Sequence, residues 1–277
     1  MAADATAEAR LPAVTRPAGR RAAAVRHRTE PLLVVLGLAV LWEILTRTDV
    51  LPSRYIPPVT VIVPELADLL TTGTFWSSFG ATVYSWALGF VIATAIGVPL
   101  GLLIGSSRLL HRATSVVIEF LRPIPSVALI PLVVLVLGAG YQATLMLVVF
   151  ACVWPQLVQA SYGAQAVDRV GWETAVSFRL SAWQRFRRIT VPSASPYLLT
   201  GCRIASSIDL IIVVTAGIVI RTPGLGNEIT LAANAGSFDS MYAYILVTGI
   251  VGYAFTTGIA AVEKRLMSWR PEFRKAH

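Results

Sequence analysis

The feature that most limits what this chain can fold into is a series of long, almost uncharged apolar runs separated by short polar or basic gaps. A bilayer core of about 30 Å asks for about 20 mostly apolar residues per helical crossing, fewer where neighbouring helices shield the ends. Six segments meet that demand: Pro31 to Thr46, Ala81 to Gly105, Ala113 to Leu137, Tyr141 to Tyr162, Tyr197 to Ile220 and Tyr242 to Val262. The first is the shortest and contains Glu43. The runs are continuous, whereas strands of a lipid-facing barrel would alternate over about 10 residues, so the expected fold is an all-α integral membrane protein.

Composition agrees and removes other classes. At 55% hydrophobic and 14% charged residues, with mean hydropathy +0.68, the chain is too apolar for an ordinary soluble domain. Its net charge of +8 does not point to nucleic acid, because the basic residues fall in patches between apolar runs and form no stripe on a soluble domain. Cys152 and Cys202 lie in apolar runs at no metal-like or redox-like spacing, and read as small buried hydrophobes. The helices hold no histidine pair, serine constellation or metal spacing, so neither a catalytic site nor a metal site is expected.

Lys and Arg set the orientation. Eighteen of the 23 fall in the tail, Ser106 to Arg112, Gly163 to Pro192 and the C-terminal segment, while Arg47, Arg54 and Arg221 lie on the other side. By the positive-inside rule both termini are cytoplasmic, and six crossings make the alternation regular. Residues 1–30, rich in Ala and Arg, read as a disordered cytoplasmic tail, residues 31–265 as the transmembrane domain and residues 266–277 as a second tail. Between the first two crossings, Pro52, Pro57, Pro58 and Pro64 mark turns, followed by an amphipathic piece at Val63 to Leu70.

Within the second crossing, small residues recur at every fourth position: Ala81, Ser85, Gly89, Ala93, Gly97, Gly101 and Gly105. Such a track lets another helix approach closely in lipid, where apolar burial drives little association. The third crossing is broken at Arg122-Pro-Ile-Pro125, where two missing N–H donors should kink or unwind it. Glu119 and Arg122, three apart, either pair on one helical face or reach the aqueous interface. In the fifth crossing Arg203 is near the start and Asp209 is deeper. An intramembrane carboxylate marks either a transport path or a hydrogen-bond acceptor between helices. Glu119, Arg122, Arg203 and Asp209 are therefore the candidate path residues.

The longest polar interruption is 163–192, and its centre, Trp172 to Pro192, reads as two short helical pieces, Trp172 to Phe178 and Ala182 to Ile189. Trp183, Phe186 and Ile189 recur every three residues on one side, with Arg185, Arg187 and Arg188 off it. Such an amphipathic piece either lies on a membrane surface or docks in the groove of a soluble partner.

Glu173-Thr174-Ala175, followed by Arg179, Ile189, Val191 and Pro192, resembles the EAA loop of binding-protein-dependent ABC importer permeases. That motif runs EAA, three residues, Gly, nine residues, Ile, one residue, an aliphatic, Pro. Gly97-Val-Pro-Leu-Gly101, Leu121-Arg-Pro-Ile-Pro125 and Pro223-Gly-Leu-Gly226 are similar to further stretches of the alkanesulfonate, taurine and nitrate branch. Two positions depart: the family's loop glycine is Arg179 here, and the second motif position is Thr174. A carboxylate often seen in the fifth crossing of that branch is replaced by Gly217.

The resemblance implies a type I importer permease in the bacterial cytoplasmic membrane. It implies a second permease subunit, identical or homologous, a pair of cytoplasmic ABC ATPases and an extracytoplasmic substrate-binding protein. The substrate class it implies is a small organic or inorganic anion such as a sulfonate. ATP and Mg would be bound by the ATPase partner, since this chain has no G-x-x-x-x-G-K-[ST] and neither Lys264 nor Lys275 follows a glycine. Coupling would run through Glu173, Thr174, Ala175, Arg179, Trp183, Phe186, Arg187, Ile189 and Pro192. The charges Asp209, Glu119 and Arg122 keep open the alternative of an ATP-independent secondary transporter or channel.

Overall fold

A computed structural model describes residues 19–267, with side chains described from Leu33 onward. The elements are α1 (Gly19–Arg47), α2 (Val59–Leu69), α3 (Gly73–Ser106), α4 (Arg108–Leu121), α5 (Ile130–Leu137), α6 (Tyr141–Gln165), α7 (Arg169–Ser177), α8 (Ala182–Arg185), α9 (Val191–Ile220), α10 (Leu225–Asn234) and α11 (Phe238–Leu266). A 3₁₀ turn, Ser126–Leu129, precedes α5, and a π turn, Phe186–Thr190, joins α8 to α9. The chain divides into two compact units, residues 1–60 and 61–277.

In the first unit, α1 begins at Gly19, so residues 19–30, expected to be irregular tail, are helical. Ala and Arg, which dominate that stretch, are strong helix formers. The rest of the expected tail, 1–18, lies outside the described residues. Glu43, the charge that set the first crossing apart, is not stranded. It accepts hydrogen bonds from Arg47 Nε at 2.6 Å, Thr60 Oγ1 at 2.8 Å and the Thr60 backbone N–H at 3.2 Å. The last of these is one of the N–H groups that the start of α2 leaves without an intrahelical acceptor. Trp42 Nε1 donates to the Pro57 carbonyl at 3.1 Å, pinning the proline turn to α1.

In the second unit, α3, α6 and α9 form the core. The small-residue track of α3 faces α6, and Ser85, Gly89, Ala93, Gly97 and Gly101 are all buried. The approach is backbone to backbone. A Cβ at Gly101 would run into the Leu157 carbonyl oxygen and the Ala160 methyl, and one at Gly97 would meet the Val153 carbonyl oxygen. Ala93 fits where Cys152, Val148 and Ala205 close the triangle with α6 and α9. A second cluster, Phe75, Leu210, Leu225, Tyr244 and Val247, ties α10 and α11 onto α3 and α9.

Four described helices are long and apolar enough to cross a membrane: α3, α6, the run containing α9, and α11. The expected third crossing is instead two helices, α4 and the segment 126–137, bent by 75° across residues 122–125; counted as one broken span it makes five. Pro123 and Pro125 supply the break, each removing a donor from the helical ladder. The expected first crossing lies within α1. At the Gly138-Ala139-Gly140 hairpin, Gly138 has φ +79°, a conformation that a side chain would strain.

Between α9 and α10 only residues 221–224 are non-helical, because α10 starts at Leu225. Leu225 N–H donates to Thr82 Oγ1 at 2.9 Å, Ser78 Oγ donates to Glu228 Oε1 at 2.9 Å, and the Thr144 and Thr222 hydroxyls pair at 3.2 Å. Hydroxyls of α3 and α6 thus hold this loop in place. At Gly217 a Cβ would lie 3.2 Å from the Gly226 Cα and from the Asn227 nitrogen, so any side chain there would press on the start of α10.

Replacing Gly101 by Ala should force α3 from α6 and destabilise the protein by about 1–3 kcal/mol, the range for overpacked cores. Gly80→Ala, where nothing lies within 4 Å, should leave stability unchanged or slightly raised, and thermal unfolding in detergent compares the two.

Candidate functional site: a capped polar arm between two core helices

The interruption between α6 and α9 folds into a compact arm. Asp168 caps α7, its side chain accepting from the Gly171 N–H at 3.1 Å. Ser181 caps α8 in a reciprocal box: its hydroxyl accepts from the Gln184 N–H, and the Gln184 side chain accepts from the Ser181 N–H at 2.9 Å. Such boxes satisfy donors that a short helix otherwise leaves open. The two helices are locked by Arg185, whose guanidinium stands 4.9 Å over the Trp172 ring.

Between the helices lies Arg179, with φ +52°. Leu180 N–H donates to the Ala175 carbonyl at 3.0 Å and Arg179 N–H to the Val176 carbonyl at 2.9 Å, which together form a Schellman motif ending α7. The left-handed turn that a glycine would permit is thus kept, with an arginine in it. A residue bearing a Cβ adopts that conformation at about 1–2 kcal/mol.

The aromatic face divides. Trp183 and Phe186 stack at 5.6 Å, but Phe186 turns inward against Leu102, Ala160, Ala164 and Ala194, whereas Trp183 stays 68% exposed. The expected three-residue stripe is altered because Phe186–Thr190 is a π turn, in which Val191 N–H bonds back to the Phe186 carbonyl. Phe186 anchors the arm and Trp183 projects from it. Ile189 is half-buried and Thr190 buried, and α9 carries Pro192 in its first turn. Phe178, which the sequence did not single out, is 77% exposed at the arm's tip.

Glu173 is exposed and accepts from Arg169 Nε at 2.8 Å, while Thr174 bonds its own helix at the Val170 carbonyl and Ala175 is buried. Arg187 and Arg188 are exposed. Trp172 and Glu173 also line a cleft of about 540 Å³, together with Gly105, Ser106, Arg108 and Thr190, between the arm and the near ends of α3 and α6.

The four charged residues expected along a path occupy three separate environments. Glu119 and Arg122 are exposed, make no ion pair with each other, and line a cavity of about 180 Å³ with His111, Ser115, Ser161 and Tyr162. Asp209 is fully buried between α3, α6 and α9, and its Oδ1 lies 3.5 Å from where a Gly89 Cβ would stand. Arg203 is ion-paired with Glu263 of α11. Glu263 was not among the sequence candidates, although it is the only carboxylate between Asp239 and Glu272 and so the only acid that α11 can offer at that end. Above the pair, Ser207 and Thr256 join hydroxyls at 3.2 Å, so α9 and α11 share a polar seam.

A bundle of long apolar helices carrying a capped polar arm defines a polytopic α-helical membrane protein in which a buried helix continues directly into a surface element. A family model described as binding-protein-dependent transport system inner membrane component matches residues 97–268, and the chain belongs to that family. It is 28% identical to the taurine transport system permease of Escherichia coli (strain K12), over 85% of this chain and 87% of the other. It is 29% identical to a nitrate import permease of Synechocystis, over 84% and 87%, and 26% identical to a bicarbonate transport system permease of the same organism, over 84% and 87%. Among solved structures, an inward-facing MetNI methionine ABC transporter chain superposes with TM-score 0.56 at 21% identity, covering 71% of this chain and 95% of that one, which establishes the type I importer permease fold.

Two measurements check this geometry. Arg179→Gly should stabilise the arm by about 1 kcal/mol, seen as slower hydrogen exchange at the amides of residues 179 and 180. Arg203→Ala should destabilise more than Glu263→Ala, by roughly 3 kcal/mol against roughly 1 kcal/mol, because it strands a carboxylate only 5% exposed whereas Arg203 still reaches water. Equal losses would show that the pair is not asymmetrically buried.

Proposed function

We propose that this chain is the permease subunit of an ATP-driven importer and that its 163–192 arm docks a separate cytoplasmic ATPase. One observation carries the reading: the arm's two helices are capped and held together by Arg185 over Trp172, yet it projects Trp183 and Phe178 bare. A polar interruption that merely crossed the membrane surface would need neither a capping box nor a Schellman turn. Large exposed aromatics on a rigid frame are what a protein groove receives.

In this reading, ATP and Mg are bound by the ATPase pair, and closure of that pair displaces the arms of two permease subunits, identical or homologous. The π turn joins the arm to α9 without a flexible linker, and the Arg203–Glu263 pair joins α9 to α11. Displacement of the arm therefore moves those two helices together and switches access between the two sides of the bacterial inner membrane. The ATPase drives this only if it binds the two states with different affinity. An extracytoplasmic binding protein delivers the substrate, for which the taurine, nitrate and bicarbonate relatives support a small anion such as a sulfonate. The separation of Asp209 from Glu119 and Arg122 gives no support to a proton relay of the kind that an ATP-independent transporter uses.

Trp183→Ala or Glu173→Ala should lower ATP-dependent uptake at least tenfold in proteoliposomes containing the full system, with the permease still inserted at native levels. Native uptake by both variants, or transport by the purified permease alone without nucleotide, would refute the reading.

A further inference from the structure

Resting on the docking just proposed, we infer that Arg179 is the residue by which the arm selects its partner, meeting a fixed carboxylate in an acidic, apolar-floored cleft of the ATPase. The Schellman hydrogen bonds at this turn are made by backbone groups alone, so glycine would make them equally well and without strain. The side chain is therefore not there for the fold. It is exposed, and it forms no hydrogen bond or ion pair with any described residue. A strained residue that contributes nothing internal is retained for what it contacts outside.

The charge around it says what that contact is. Arg187 and Arg188 are exposed as well, while the arm's carboxylates are engaged: Asp168 caps α7 and Glu173 holds Arg169. No anion within the arm is left for Arg179, so a partner supplies it. Phe178, next to it in the chain, and Trp183 on the following helix are exposed aromatics that ask for an apolar recess in the same partner. Lipid phosphate would also attract a guanidinium, but it asks for no fixed direction and is already available to Arg187 and Arg188. A strained backbone that aims one guanidinium suits an acceptor with one position, as a bidentate carboxylate has.

The test uses the full chain in nanodiscs and the ATP-binding subunit of the same transport system, with Kd measured at low and high salt for native, Arg179→Gly, Arg179→Gln, Trp183→Ala and Phe178→Ala chains. Both Arg179 variants should bind about tenfold more weakly at low salt, a difference of about 1.4 kcal/mol, with a flatter salt dependence. The aromatic variants should weaken binding with the salt dependence intact. Native or tighter binding by Arg179→Gly overturns the inference, as does a loss seen only when the nanodisc holds anionic lipid, which would assign Arg179 to headgroups. If Trp183→Ala and Phe178→Ala also bind normally, the arm is not the docking element and the broader reading falls with it.

Discussion

Everything in the second unit depends on how closely α3 and α6 approach. Lipid tails are as apolar as leucine, so burying apolar side chains drives little association between helices in a membrane, and contact has to come from packing of small residues. Gly97, Gly101 and Gly105 let the α3 backbone reach carbonyl oxygens of α6, and Ser85, Gly89 and Ala93 carry the contact towards the other end. With that pair fixed, α9 has one place to sit, against Cys152, Val148 and Ala93, and the arm that precedes it is fixed in turn by Phe186 in the pocket of Leu102, Ala160 and Ala164.

The polar groups are arranged around this close-packed seam in separate sets. Hydroxyls of Ser78, Thr82 and Thr144 hold α10 and the turn before it, and Arg203, Ser207, Thr256 and Glu263 hold α11 to α9. Each set joins helices whose apolar faces alone would leave them free to slide. Asp209 stands apart as a carboxylate enclosed by the core triangle, where it bears on packing of α3 against α6 and α9 more directly than on any cavity.

Local chemistry was legible in the sequence wherever it was encoded by spacing. The four-residue recurrence from Ala81 to Gly105 named the close-packed face of α3, Pro123 and Pro125 placed the bend, and the Glu173 to Pro192 spacing placed the arm. What was not legible depended on partners distant in sequence. Glu43 looked like a charge in an apolar run until Thr60 supplied its donors, and Arg203 had no visible partner because Glu263 lies 60 residues away on α11. The split between Trp183 and Phe186 was hidden for another reason: a three-residue recurrence assumes a uniform helix, and the π turn breaks that assumption at Phe186. Arg179 departs from the motif's glycine, but only its dihedral shows that the chain takes a left-handed turn there.

The π turn also has a geometric consequence. A π turn holds one residue more than an α turn, so the arm meets α9 rotated by about 100° from the heading that an unbroken α-helix would give it. That extra residue sets the compass bearing of Trp183 and Phe178 about the α9 axis. Chains sharing this bundle can therefore aim the same arm in different directions by gaining or losing a single residue between Phe186 and Thr190.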